Sequence, residues 1–329
     1  MKDNYRKEIM NIGILGAGRI ARKFAQDIKY VKGAKLYAVG ARTIEGAKQF
    51  GEEFGVSNCY GSYEELAKDE KVDIIYISTP NSLHKEHALL CLNHKKAVLC
   101  EKPFASNAKE AQEMIDAARN NNVFLMEAMW TRFFPGIKKV REWLEAGIIG
   151  EVRLVQGDFG FKEDNKNDIR FSKEFAGGAV MDVGIYPISF ASMVYKKSPK
   201  DIFVSANVGD TGVDETISVM FSYDGNKVAH ADASLVLETP RNMQIIGDKG
   251  YICLPNIWDH ARKAFVYSND RVLVDQYEDK SESIGYQFEL EEVIACLKEN
   301  KIESSIMPLS ETLDIMHTLD CIRARIGIL

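Results

Sequence analysis

A chain of 329 residues exceeds the roughly 250–300 at which a single hydrophobic core stops growing, so two domains are expected. Its apolar fraction of 46% and charged fraction of 27% are ordinary for a globular protein, and a net charge of −6 gives no general attraction to nucleic acid or anionic lipid. Cys59, Cys91, Cys100, Cys253, Cys296 and Cys321 form no C-x-x-C pair, and no His stands at finger-like spacing from them. Neither a zinc site nor a disulfide framework is expected, and the thiols read as reduced. The N-terminus MKDNYRKEIMN lacks the apolar segment of a signal peptide. No apolar run approaches the roughly 20 residues needed to span a bilayer. A cytoplasmic protein, binding neither membrane nor nucleic acid, is the expectation.

Over residues 1–127 two periods alternate. Strand-like runs cover Asn11–Leu15, Leu36–Val39, Val72–Ser78, Ala97–Cys100 and Val123–Met126. Helical patterns lie between them. One starts near Arg19, with Ile20, Phe24, Ile28 and Val31 on one face; others cover Thr43–Phe54, Tyr63–Lys68, Ser82–Asn93 and Ala108–Asn121. Such alternation predicts βαβ units and a parallel sheet. The run VDIIYIS is nearly all apolar, as expected of a strand covered on both faces.

From 128 to 329 the pattern changes. A helix is predicted over Pro135–Ala146. Strands follow at Val152–Phe159, Ile202–Val208, Thr216–Ser222, Lys227–Ser234, Met243–Ile246 and Arg262–Tyr267, interrupted by a helical stretch over Ala179–Tyr195. Helices over Tyr286–Lys298 and Leu309–Ile326 close the chain. Strands in meander order with helices set aside predict an α+β second domain, with the boundary near 126–130.

The strongest local motif is Gly16-Ala17-Gly18-Arg19-Ile20-Ala21, which follows an apolar strand and opens a helix. This is the context of a dinucleotide-binding fingerprint. Gly16 permits the tight turn, Gly18 admits the pyrophosphate, and Ala21 lets the helix pack on the sheet. The helix N-terminus then offers free N–H groups and a positive dipole end to phosphate. An NAD-specific site usually carries an acid at the end of the second strand. Here Lys32 to Ile44 contains none and reads Val39-Gly40-Ala41-Arg42-Thr43. Arg42 can grip a 2′-phosphate bidentately, with Ala41 beside it, so NADP is expected over NAD.

Ligands of open α/β sheets bind beyond the carboxyl ends of the strands. Ser78-Thr79-Pro80-Asn81 and His84 follow one such end, and Glu101-Lys102-Pro103 another. All are candidate cofactor neighbours. Lys102 is also a candidate catalytic cation, able to stabilise an alkoxide-like oxygen. On spacing alone it reads equally as a solvated lysine. Asp182 and Tyr186, four residues apart, share a helix face if the stretch is α-helical. A tyrosine can act as general acid/base where a cation such as Lys102 lowers its pKa from about 10. Half-buried core tyrosines and surface carboxylates are common, so the pair remains open on spacing.

Taken together, GAGRIA, STPN, Glu101-Lys102-Pro103 and GGAVMDVGIYP (177–187) resemble the glucose–fructose oxidoreductase/inositol dehydrogenase family, Gfo/Idh/MocA. The likeness covers nearly the whole chain. Met126 to Pro135, Asp158-Phe159-Gly160 and Gly184-Ile185-Tyr186 look nearest to its dimeric dihydrodiol dehydrogenase and NADP-dependent D-xylose dehydrogenase branch. The resemblance implies a Rossmann domain followed by a large, open, mostly antiparallel sheet that often forms a subunit interface, hence a homodimer or higher oligomer. It implies catalytic roles for Lys102, Asp182 and Tyr186. Many members carry His where Tyr186 stands. Trp130 and Phe159 match aromatic residues lining the substrate pocket of that branch. No metal is expected. The implied reaction moves a hydride between NADP and a CH–OH group of a sugar, polyol or trans-dihydrodiol. A non-catalytic dinucleotide sensor is the rival reading. Biliverdin-reductase-like or glycosidase-like chemistry is a third.

Overall fold

The computed structural model describes residues 7–329, so the first six residues of the polar N-terminus lie outside the described residues. Two compact units are present: residues 7–130 with 282–313, and residues 131–281 with 314–329. The sequence boundary near 127 missed the return of 282–313 to the first unit. Pattern reading follows local periodicity, whereas this assignment depends on long-range packing.

The first unit carries a parallel sheet of β1 (Met10–Leu15), β2 (Ala34–Gly40), β3 (Asn58–Tyr60), β4 (Ile74–Ile77), β5 (Ala97–Glu101) and β6 (Leu125–Ala128). Their order is β3-β2-β1-β4-β5-β6. The helices are α1 (Arg19–Ile28), α2 (Ile44–Phe54), α3 (Tyr63–Lys68), α4 (His84–Asn93) and α5 (Ala108–Asn121). β3 escaped pattern reading because three half-buried residues carry no period. β4 is shorter than Val72–Ser78, and all four of its residues are buried, as a strand covered on both faces requires. Side chains of Thr43, Ser62 and Asn107 cap α2, α3 and α5 by accepting from the third amide beyond. Gly18 begins α1 without a side-chain cap.

The buried face of α1 holds Ala21, Phe24, Ala25, Ile28 and, against its apolar pattern, Asp27. The Asp27 carboxylate accepts the amides of Ile284, Gly285 and Tyr286 at 3.1, 2.7 and 3.0 Å. Three charge-assisted bonds offset its desolvation and fasten the returning segment ahead of its helix (Gln287–Lys298).

The second unit begins with α6 (Pro135–Glu145) and β7 (Val152–Gly160). The expected helix over 179–195 is instead a π turn, Val180–Gly184, running into α7 (Ile185–Tyr195). β8 (Asp201–Val208), β9 (Asp214–Tyr223), β10 (Lys227–Ser234), β11 (Met243–Gly247), β12 (Gly250–Leu254), β13 (Lys263–Ser268) and β14 (Leu273–Glu278) complete a sheet ordered β14-β13-β12-β11-β7-β10-β9-β8. Only β7 and β10 pair in parallel, so the mostly antiparallel expectation holds. β12 and β14 were missed; the first is short and the second is a largely exposed edge strand. The closing helices are α8 (Gln287–Lys298) and α9 (Leu309–Arg325). Among the described residues no helix is long and apolar enough to cross a membrane.

One buried histidine ties two strand ends of the first unit together. His84 is fully buried, with Nε2 at 2.9 Å from the Thr79 carbonyl and Nδ1 at 2.9 Å from the Pro103 carbonyl. Two acceptors favour a doubly protonated ring, but burial opposes the charge and prevails, lowering its pKa from 6.5 to about 4. Because the folded value lies below the unfolded one, the stabilisation is present above pH 6.5 and is lost as pH falls toward 4. Acidification from neutrality to about pH 4.5 is expected to cost about 2–3 kcal/mol through this group alone. Denaturant melts of wild type and His84→Asn across that range check this, the variant showing a shallower decline.

Candidate active site

Parallel register aligns the strand ends. Leu15 pairs with Ile77, and Ile77 with Cys100, so Gly16, Ser78 and Glu101, the last residue of β5, stand level along one edge of the sheet. Gly16 has φ +104°, a conformation that strains any residue with a Cβ. An added Cβ there would also crowd the Ser78 carbonyl at 3.2 Å. Its amide donates to the Gly40 carbonyl at 2.9 Å, and Ser78 Oγ donates to its carbonyl at 3.2 Å. Gly18 and Arg19 are exposed, Ala17 and Ile20 half-buried, and open space surrounds the Gly18 Cα. An uncapped helix start with no acid in its first turn fits a pyrophosphate.

Arg42 is exposed just beyond buried Ala41 at the end of β2. Its charge reaches Tyr63, where it opposes the upward push of burial on the phenol. Tyr63 packs edge-on against His87 at 4.6 Å, and His87 Nδ1 lies 2.9 Å from Thr79 Oγ1. Neither Tyr63 nor His87 was singled out from the sequence, although both occupy first turns of helices that follow strand ends. Pro80 and Asn81 lead into α4, with Asn81 opening a short 3₁₀ turn.

His84 requires a correction. Both ring nitrogens face backbone carbonyls in a fully buried setting, leaving no polar ring atom for a dinucleotide. Its influence on the edge runs through the Thr79 and Pro103 turns.

The Glu101 carboxylate is engaged on both oxygens. Tyr76 O–H donates to Oε1, and the Lys102 main-chain N–H donates to Oε2 at 3.2 Å. Lys102 is partly exposed and is joined to Pro103 by a cis peptide. The Tyr76 ring stacks on Phe24 at 3.7 Å, and burial, then the Glu101 charge, pushes its phenol far above its usual range. Trp130 is 7% exposed and stacks on Tyr286 at 4.9 Å and 7°. Tyr286 is placed by the amides that Asp27 accepts, a link of more than 250 positions that no local pattern shows.

In the second unit, Asp182 lies in the π turn and Tyr186 in the first turn of α7, so the simple α-helical face is replaced by a wider turn. The stretch starts at Gly178, φ +116°, where a Cβ would meet the Asp214 carboxylate at 2.1 Å. Asp214 accepts the Val180 amide at 2.6 Å and so fixes where the turn begins. Burial raises its pKa against that bond. Asp182 feels the charge of Arg170, which Asp168 and Glu163 also hold through short bonds. Tyr186 is buried and stacked on Phe159 at 5.0 Å and 21°. Arg241 lies over the Phe159 ring at 4.6 Å. The Asp158 carboxylate accepts the main-chain amides of Arg241 and Asn242 at 2.7 and 2.9 Å, which positions this cation. Arg170 and Arg241 were missed because an isolated arginine in a loop has no period to announce it.

The first unit thus gathers the glycine turn, the Ser78–Asn81 turn, Glu101, Lys102 and Trp130. The second gathers Asp182, Tyr186 and Phe159.

Residues 10–129 match the oxidoreductase family with an NAD-binding Rossmann fold, and residues 137–253 match the GFO/IDH/MocA C-terminal domain. A trans-1,2-dihydrobenzene-1,2-diol dehydrogenase of Xenopus tropicalis is 34% identical over 323 residues, covering 96% of this chain and 98% of its own length. The human protein of the same name is 35% identical, with 96% of each chain covered. Among solved structures, an aldose–aldose oxidoreductase from Caulobacter crescentus, complexed with glycerol, superposes with a TM-score of 0.86 at 22% identity, covering 97% of this chain and 98% of its own. A levoglucosan dehydrogenase bound to NADH and L-sorbose gives 0.88 at 18% identity, covering 98% and 97%. This chain belongs to the Gfo/Idh/MocA family of NAD(P)-dependent oxidoreductases.

Proposed function

We propose that the protein is an NADP-preferring dehydrogenase or reductase acting on a CH–OH group of a sugar, a polyol or a trans-dihydrodiol. The observation that carries this is the uncapped start of α1 behind Gly16–Gly18, with Arg42 and no acid between Lys32 and Ile44. In this reading Gly16, Ala17, Gly18, Arg19 and Ile20 receive the pyrophosphate. Arg42 and Ala41 receive the 2′-phosphate, and Ser78, Thr79, Pro80, Asn81, Glu101 and Lys102 line the remainder. When bound, the nicotinamide supplies the hydride acceptor or donor.

The chain's own residues supply proton handling and orientation. Tyr186 takes the proton of the substrate hydroxyl in the oxidative direction and returns it in the reductive one. The Lys102 ammonium stabilises charge on the hydroxyl oxygen. Asp182 orients the reacting group. Phe159, in contact with Tyr186 and Arg241, and Trp130 are the aromatic residues that would pack against either a sugar ring or a trans-dihydrodiol. The named relatives act on such a diol, and the solved structures hold glycerol or L-sorbose, which supports this substrate class.

The reading extends to a cytoplasmic homodimer or higher oligomer joined through the open sheet. That sheet exposes Phe203 and Met220 as a cross-strand pair on neighbouring strands, an apolar contact that a partner sheet would cover. Light scattering is expected to report at least two chains per particle, and Phe203→Glu to lower that mass.

Arg42→Ala is expected to lower the kcat/KM preference for NADP over NAD by about 10–100-fold, the worth of a charge-assisted contact. A wild-type preference for NAD would remove the role of Arg42. Tyr186→Phe is expected to cut kcat by about 10²–10⁴-fold at 340 nm with a turned-over sugar or diol. Unchanged kcat would take the proton transfer away from Tyr186.

A further inference from the structure

One buried acid is left without a task by this reading. Glu289 stands in the first turn of α8, fully buried, with no hydrogen-bond partner on either carboxyl oxygen. A carboxylate deprived of donors in such a place is strongly disfavoured, and the protonated acid is the form it tolerates. Burial raises its pKa well above the carboxylate range, and the Glu101 charge adds to the rise. Glu101 is the opposite case. The Tyr76 hydroxyl and the Lys102 main-chain N–H each donate to one of its oxygens, which favours the ionised form.

Two groups of the sheet share a charge interaction with Glu289. Glu101, on β5, acts on it, and it acts in turn on the Tyr76 phenol, on β4. Asp27 itself is turned to the amides of 284–286. A second negative charge here would repel the Glu101 carboxylate at low effective dielectric and strain its bonds to the phenol and to the Lys102 main chain.

We infer that Glu289 is a positioning residue of the strand edge, kept as a neutral carboxylic acid so that Glu101 can remain an anion bonded to Tyr76 and to the Lys102 main chain. The role rests on the reading of Lys102 as a catalytic residue. Through Glu101, the acid on α8 governs where the Lys102 segment sits, and therefore where its ammonium is delivered.

Infrared spectroscopy of the unliganded protein at neutral pH tests the neutral state. The carbonyl band of protonated carboxyl groups is expected to lose intensity in Glu289→Gln, and an unchanged band would overturn the inference. Kinetics test the positioning. Glu289→Ala adds no charge but leaves a cavity into which the Glu101 side chain can relax, and is expected to lower kcat about tenfold, with the Kd for NADPH by fluorescence within about twofold of wild type. The isosteric Glu289→Gln should restore kcat to within about threefold. Wild-type kcat in Glu289→Ala, or failure of Glu289→Gln to restore it, would sink the positioning role. The glutamine variant carries the infrared test even if the alanine variant does not fold. The band is read without substrate or cofactor, so its outcome is separate from the fate of the proposed reaction.

Discussion

The shared register of β1, β4 and β5 is the constraint on which the rest of the first unit depends. Because Leu15, Ile77 and Cys100 stand level, three chains leave the sheet together and turn at the same edge. Parallel strands need helical crossovers, so each turn also begins or precedes a helix. The edge therefore collects polar backbone, helix starts and short polar side chains that the apolar strands cannot hold. Gly16, Ser78 and His84 then bond the turns to one another.

Behind that edge lie several buried ionisable groups, and some of them hold specific segments in place. The Asp27 carboxylate accepts three amides, and that of Glu101 accepts a phenol and an amide. His84 is kept neutral by burial. In the second unit Asp214 does comparable work where the π turn begins, and the clash awaiting a Cβ at Gly178 shows how closely the backbone approaches it. Desolvation is costly for every one of these groups. Each persists because it fixes a segment that carries a candidate functional side chain: Tyr286 and Trp130 through Asp27, Lys102 through Glu101, and Asp182 with Tyr186 through Asp214.

The legible parts of the chain were those written in local patterns. The strand–helix alternation of the first 127 residues, the glycine turn, and the residues of the Ser78–Asn81 and Glu101–Pro103 turns needed only periodicity and spacing. β3 escaped because its three residues are too few to show a period, β14 because an edge strand buries little, and β12, although alternately buried, because five residues are too short a run. The π turn escaped because its hydrophobic pattern differs little from that of an α-helix over one turn. His84 was placed correctly along the chain, yet its role changed once both ring nitrogens were seen to be occupied.

By itself, the order of residues determined the dinucleotide-binding βαβ series, the absence of any acid between Lys32 and Ile44 beside Arg42, and the identity of Lys102, Asp182 and Tyr186 as candidates. These are properties of neighbours along the chain, within reach of one helix turn or one strand end. Only tertiary structure decided that 282–313 returns to the first unit, that Tyr286 lies flat on Trp130, that Arg241 covers Phe159, and that Glu289 stands near Glu101. Those pairings join residues far apart in sequence through burial and desolvation, which act on where atoms come to rest and leave no trace in local spacing.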